Sequence, residues 1–236
     1  MGFDYLNQKT WSEITREERL FCSHLFHTLQ EKQRMKQFLN FLKEKNSPAK
    51  NIPLTSLNTI NVEDKWEVGF EVCFYRDLLL EFDISVKKND MNIEDKDKLI
   101  KRTFDLCLFN KENMIIIEAK CFSNLDSKQY GDFKRDKNFI EKIYDYIASK
   151  NDEKIRSPQI QFVFLASSYY YKSESFMKLN GIGRSMVDDF TKQVPNAPDK
   201  FISWKQIEEC ITINNFHEPM LSKADEIYKL CRDQKK

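Results

Sequence analysis

The stretch TFDLCLFNKENMIIIEAK, residues 103–120, limits what this chain can fold into more than any other. Its two halves are short β-branched and aromatic runs, and the NKEN between them has the length and composition of a hairpin loop. A hairpin symmetric about Lys111 and Glu112 pairs Asn110 with Asn113, Phe109 with Met114 and Asp105 with Glu118. Opposed residues share one face of a sheet, with Cβ atoms about 4.5–5.5 Å apart. Two carboxylates at about 5 Å repel by roughly 3 kcal/mol at an effective dielectric near 20, before any desolvation cost. A cation therefore belongs between them.

Lys120 is two residues beyond Glu118, so the strand period of two returns its ammonium to the same face. One lysine offsets part of the repulsion and leaves carboxylate lone pairs open. A hard divalent cation would use them, since Mg²⁺ takes one or two carboxylates and keeps waters and substrate phosphates. The same spacing also suits a structural Asp105–Lys120 ion pair near the strand ends, with Glu118 solvated.

Around the hairpin the pattern is that of an α/β unit. Leu20, Phe21, Leu25, Phe26, Leu29, Phe38, Phe41 and Leu42 recur at helical spacing between about Ser12 and Lys45, one or two amphipathic helices, with Thr10 and Glu13 as a capping box. NSPAKNIPLTSLNTINVED is a connector. DKWEVGFEVCFYRDLLLEF reads as a helix capped by Asp64, with Trp66, Phe70, Phe74 and Leu78 on one stripe and Glu71 beside it. FDISVK suggests a strand, and the charged run after it a loop. A helix is expected from about Ser127 to Lys150 with Phe133, Phe139, Ile140, Ile143, Tyr144 and Ile147 inward, then a buried strand in QIQFVFLASSYYY. KLNGIGRSMVDDF holds a GxG turn into a helix, better read as a cap than as a phosphate cradle, and two amphipathic helices close the chain.

The expected organisation is a helical extension over residues 1–60, an α/β core with a mixed sheet flanked by helices over 61–170, and a mainly helical extension packed on it over 171–236. With 38 basic and 37 acidic residues, net charge singles out no partner. The opening MGFDYLNQKTW has no basic-then-apolar signal pattern and no run of 18 apolar residues occurs, so the expectation is a cytoplasmic protein with no membrane partner. The six cysteines stand singly with no CxxC, which suits buried reduced thiols. His24 and His27 lie one helical turn apart, but no third metal ligand is evident near them. No P-loop, GxGxxG, HExxH or GxSxG is present, which disfavours the enzyme classes built on them.

Asp105, twelve intervening residues and Glu118-Ala119-Lys120, set in helix–strand–strand–strand–helix–strand order, resemble the active-site signature of the PD-(D/E)XK, or restriction-endonuclease-like, nucleases. The resemblance covers about residues 64–168, and departs from the pattern in having Phe104 where its name-giving motif has proline. It implies a Mg²⁺-dependent endonuclease, with Mn²⁺ able to substitute, acting most readily on DNA in restriction, defence or repair. Asp105, Glu118 and the Ala119 carbonyl would be metal ligands, and Lys120 would orient or deprotonate the attacking water. Glu71 would be an accessory carboxylate, with Glu67 a weaker candidate, and Gln129 a polar residue aimed at the site. Lys128, Lys134, Arg135 and Lys137, interleaved with Tyr130 and Phe133, would meet phosphates, although Asp132 and Asp136 also suit a plain solvated face. The tyrosines of SSYYYK would stack bases or pack a sheet edge. The alternative is a nuclease-fold protein that binds nucleic acid or a protein without cutting. Strandedness, DNA against RNA, and pairing of two copies into a homodimer are left open by the residues.

Overall fold

The structure is a computed structural model that describes residues 17–50, 52, 54–84, 101–121, 127–150, 156–179, 197–211 and 219–233, the side chains of 127–130, 150, 178, 179, 219 and 230–233 excepted. In chain order its elements are α1 (Glu18–Leu29), α2 (Lys32–Lys43), β1 (Glu67–Val72), α3 (Phe74–Glu81), β2 (Phe104–Phe109), β3 (Asn113–Ala119), α4 (Ser127–Lys150), β4 (Gln159–Ala166), α5 (Ser168–Tyr171), α6 (Glu174–Leu179), β5 (Lys200–Ser203), α7 (Trp204–Ile211) and α8 (Pro219–Asp233). The strands form one mixed sheet in the order β1-β2-β3-β4-β5. β1, β2 and β3 are an antiparallel meander, and β3, β4 and β5 run parallel. No described helix is long and apolar enough to cross a membrane.

The central hairpin has the register its symmetry requires, with Phe109 opposite Met114 and Leu106 opposite Ile117. Asn110 closes the turn by accepting from the N–H groups of Glu112 at 2.9 Å and Asn113 at 2.6 Å. β3 is buried along its whole length, because it is paired on both edges and covered on both faces. That is why its sequence reads as a continuous apolar run without alternation.

Cys107, Met114, Ile116, Phe162 and Phe164 meet Phe133, Phe139, Ile140 and Ile143 of α4 and Tyr75 of α3 on one face. On the other, Leu106, Leu108, Ile115, Ile117, Val163 and Leu165 pack against α1, α2, α7 and α8. α2 supplies Phe38, Leu39 and Leu42, each at most 1% exposed, and burial of side chains of that size stabilises by about 1.5–3 kcal/mol each.

Residues 64–82 do not form the single helix their apolar spacing suggests. EVGFEV is strand β1 and only Phe74–Glu81 is helical. The ladder to β2 supplies backbone partners for residues 67–72, and long-range pairing of this kind overrides a weak helical period. Gly69 suits the strand, since a Cβ there would come within 2.6 Å of Val72 Cγ2. Of FDISVK, residues 82–84 end α3 in a turn and 85–87 lie outside the described residues. The Thr10–Glu13 capping box and the GIG turn also lie outside them.

Candidate active site at the end of the central hairpin

The hairpin register, continued one step past Leu106–Ile117, sets Asp105 against Glu118 at the sheet edge where β2 starts and β3 ends. Asp105 Oδ2 accepts from the Ala119 N–H at 2.8 Å, so an acid of one strand is tied to the backbone of the other. Its second oxygen accepts no hydrogen bond from a described residue. Glu118 is 7% exposed, and Lys120 Nζ lies 3.0 Å from its Oε1 and 2.9 Å from the Ala119 carbonyl oxygen. Asp105, Glu118, Ala119 and Lys120, all foreseen from the sequence, are thus brought together.

The structure adds three groups that no local pattern singled out. Glu18 opens α1, accepts from the Cys121 N–H at 2.8 Å through Oε2, and holds Oε1 3.6 Å from Lys120 Nζ. Arg102, just before β2, reaches Glu118 Oε2 at 3.7 Å and Asp136 Oδ2 at 3.1 Å, with its guanidinium 5.4 Å from the Phe104 ring centroid. Asp136 of α4 is fully buried and accepts from the Tyr75 hydroxyl at 2.8 Å. Asp136, which the sequence suited to a solvated face, instead falls on the inward stripe of Phe133, Phe139, Ile140 and Ile143.

Glu18, Asp105, Glu118 and Asp136 face two cations, Lys120 and Arg102. With all four acids ionised, the cluster carries two surplus negative charges in a largely buried setting. The strain shows at Asp105, whose pKa is pushed up to about 7 by burial and by the Glu118 charge, with Lys120 and the Ala119 N–H opposing. Glu18 is also raised, mainly by burial. At Lys120 burial favours loss of the proton, but Glu118, Glu18 and Asp105 together outweigh it and hold the ammonium well above its ordinary range. The thiols of Cys22, Cys107 and Cys121 are pushed well up by burial, which makes them poor nucleophiles.

The donors gathered here are oxygens, the ligand type of a hard divalent ion. Every open ligand is an oxygen, the surplus charge is two, and the Lys120 ammonium already sits as a cation between a Glu118 oxygen and the Ala119 carbonyl. Among the described residues no three His, Cys, Asp or Glu side chains cluster to hold a metal.

The other sequence candidates fall differently. Glu71 is on β1, not on a helix, at the position facing Asp105 across the sheet, where the β1–β2 ladder skips a pair between Phe70–Leu106 and Val72–Phe104. Its φ of 50° is left-handed, and its carboxylate pairs with Arg19 of α1 at 2.7 Å. Glu67, paired with Lys65 at 3.4 Å, is at the far end of the same strand from the site. Lys128, Gln129 and Tyr130 are in the first turn of α4, but their side chains lie outside the described residues. Lys134, Arg135 and Lys137 are exposed on α4, with Arg135 bound to Asp132 at 2.7 Å. Phe133 is buried against Phe162 and is not available to stack a base.

No family model, no curated protein and no solved structure matches this chain.

Proposed function

We propose that this chain is a metal-dependent endonuclease that hydrolyses phosphodiester bonds, with DNA as the substrate and a restriction-endonuclease-like core. The observation that carries the reading is Asp105, one step past the Leu106–Ile117 pair and bound to the Ala119 N–H at 2.8 Å, with Lys120 Nζ 3.0 Å from Glu118 at the end of the β-meander. The element order supports it: a helix bearing Glu18, the β1-β2-β3 meander, α4, and β4 parallel to β3. Glu18 stands on the helix preceding the sheet, the place that sequence reasoning gave to Glu71.

Asp105, Glu118 and the Ala119 carbonyl would hold the ion, with Glu18 as an accessory acid. Mg²⁺ bound there supplies a Lewis acid for a phosphoryl oxygen and lowers the pKa of water. Three carboxylates raise the pKa of the Lys120 ammonium in the metal-free site. From there Lys120 would orient the attacking water or donate to a phosphate oxygen as negative charge develops. Arg102, pinned by Asp136, fixes the outer oxygen of Glu118 and so the direction in which that carboxylate presents itself. The exposed Lys134 and Lys137 give α4 a sequence-neutral hold on phosphates.

The test is Mg²⁺-dependent cleavage of supercoiled plasmid, single-stranded DNA and RNA, with Asp105→Ala and Lys120→Ala alongside. Cleavage by the native chain, abolished in both variants, is the expected result. No cleavage of any substrate, with nucleic-acid binding intact in both variants, would leave a binding protein on a nuclease-like scaffold.

A further inference from the structure

A second polar feature lies on the same sheet edge, where β4 and β5 end. A cavity of about 370 Å³ opens there, lined by Ser168, Tyr169, Lys172, Lys205 and Gln206 among others. Tyr169 is 38% exposed, whereas its neighbours Tyr170 and Tyr171 are at most 1% exposed. Lys172 Nζ lies 5.9 Å and Lys229 Nζ 5.5 Å from the Tyr169 ring centroid. Both lysines are exposed, and neither forms an ion pair with a described residue. Two cations thus lie near one partly exposed aromatic ring, neither ion-paired to a described carboxylate.

The base of this cleft is rigid. Asp225 of α8 accepts from the Ser168 N–H at 2.6 Å, the Ser168 hydroxyl at 2.5 Å and the Lys205 N–H at 3.3 Å. Ser167 accepts from the Tyr169 N–H at 3.2 Å and donates to the Asp225 carbonyl. Below, the Tyr171 hydroxyl donates to the carbonyls of Phe164 and Ile202. The exposed ring therefore stands on a backbone already fixed in place, which lowers the ordering cost of binding.

Its position connects it to the acid site. The Lys120 N–H donates to the Leu165 carbonyl at 2.8 Å, and Trp204 Nε1 donates to the Lys120 carbonyl at 3.2 Å. β3, β4 and β5 are parallel, so Lys120, Ser167 and Ser203 follow one another along a single edge, about 10 Å across two strand spacings. Carboxyl ends of parallel strands are where open α/β sheets take their ligands.

We propose that this cleft is a nucleotide subsite for single-stranded nucleic acid, in which a base stacks on Tyr169 and flanking phosphates meet Lys172 and Lys229. A π-face and a phosphate are the two features every nucleotide offers, so the site reads no sequence. Glu209, paired with Lys205 at 3.9 Å, turns phosphates away from that side and towards Lys172 and Lys229. The inference rests on the nuclease reading only in saying what the held strand is for. It assigns the substrate class: a strand lying along the edge from Tyr169 to Lys120, not a fully paired duplex.

The experiment is fluorescence anisotropy of the full chain with labelled single-stranded oligonucleotides, DNA and RNA of one sequence, and a DNA duplex, all in EDTA so that nothing is cut. Tyr169→Ala should weaken single-strand binding by at least about five-fold while Tyr169→Phe keeps it, as stacking requires. Removing both lysines, Lys172→Ala with Lys229→Ala, should lower the slope of log affinity against log salt by about 1.4, or 0.7 for each lost phosphate contact. A loss with DNA, with RNA or with both supports the subsite and names its sugar. Unchanged binding in Tyr169→Ala, or an equal loss on the duplex, overturns it. Binding that depends on Tyr169 in a chain that cuts nothing would sink the nuclease reading alone, and cleavage with binding indifferent to Tyr169 would sink the subsite alone.

Discussion

Lys120, half-buried, and Lys200, fully buried, are amines beside the same sheet, and they are pushed in opposite directions. Lys200, at the start of β5, is fully buried and donates to the carbonyls of Glu44 at 2.9 Å and Thr55 at 2.7 Å, with its ammonium 5.7 Å from the Phe41 ring centroid. Burial lowers its pKa to about 8, against a partial rise from Glu44. Lys120 is held among three carboxylates and is raised instead. Neutral dipoles satisfy the hydrogen bonds of Lys200 without balancing its charge, so it fastens β5 to the α2 connector. Lys120 sits in a cluster whose acids outnumber its cations, and such a surplus is what a structural role does not need. The local charge balance, more than burial, separates a fastening from a candidate site.

The largest expected effect breaks the pair apart by activity. On the proposed nuclease reading, Lys120→Met should cut Mg²⁺-dependent cleavage by about 10²–10³-fold, the range for losing one preorganised donor to developing charge, while Lys200→Met should leave the rate per folded molecule unchanged. A similar loss in both, measured at equal folded fraction, would erase the distinction.

Asp105→Asn sharpens the charge argument. The Asp105 acid is raised from 3.8 to about 7, so between those values the folded chain holds a proton that the unfolded chain has lost. Stability from this group is therefore highest below pH 4 and falls as pH rises through 7. The asparagine variant should melt about 2–4 °C higher than the native chain at pH 8, the equivalent of about 1 kcal/mol, and the gap should close near pH 4. Added Mg²⁺ should raise the melting temperature of the native chain and not that of the variant. Equal melting at pH 8 with no response to Mg²⁺ would deny the surplus charge.

Lys200 gives the converse pH dependence, with a smaller effect. The unfolded chain binds more protons than the folded chain between pH 8 and 10.5, so stability contributed by this group rises across that window. The urea midpoint of the native chain, relative to Lys200→Met, should therefore climb from pH 7.5 to 9.5. Smallest of all, Glu71→Gln should cost under about 1 kcal/mol and leave cleavage intact, because Arg19 is 73% exposed and the pair is screened by water. A large loss of activity there would make Glu71, and not Glu18, the accessory acid of the site.

Periodicity served this chain unevenly. The α4 stripe and the buried β4 run match the structure, as two long elements with a clean period should. Residues 64–82 misled, because Trp66, Phe70, Phe74 and Leu78 carry a helical spacing through a six-residue edge strand only partly buried along its length. An edge strand buries too little to impose its own alternation, so its backbone pairing, invisible in a linear pattern, decided the outcome. Tyr170 and Tyr171 went into the core through hydrogen bonds to carbonyls of two strands, and only Tyr169 was left accessible.

What the sequence determined alone is the confrontation of Asp105, Glu118 and Lys120, because a four-residue loop fixes the register of its own hairpin and side chains alternate with a period of two. What only the tertiary structure decided is who joins them. Glu18 and Asp136 reach the site from helices on opposite faces of the sheet, and Arg102 is held there by a carboxylate 34 residues away. Packing of two layers onto one sheet sets those distances, and no local pattern encodes them.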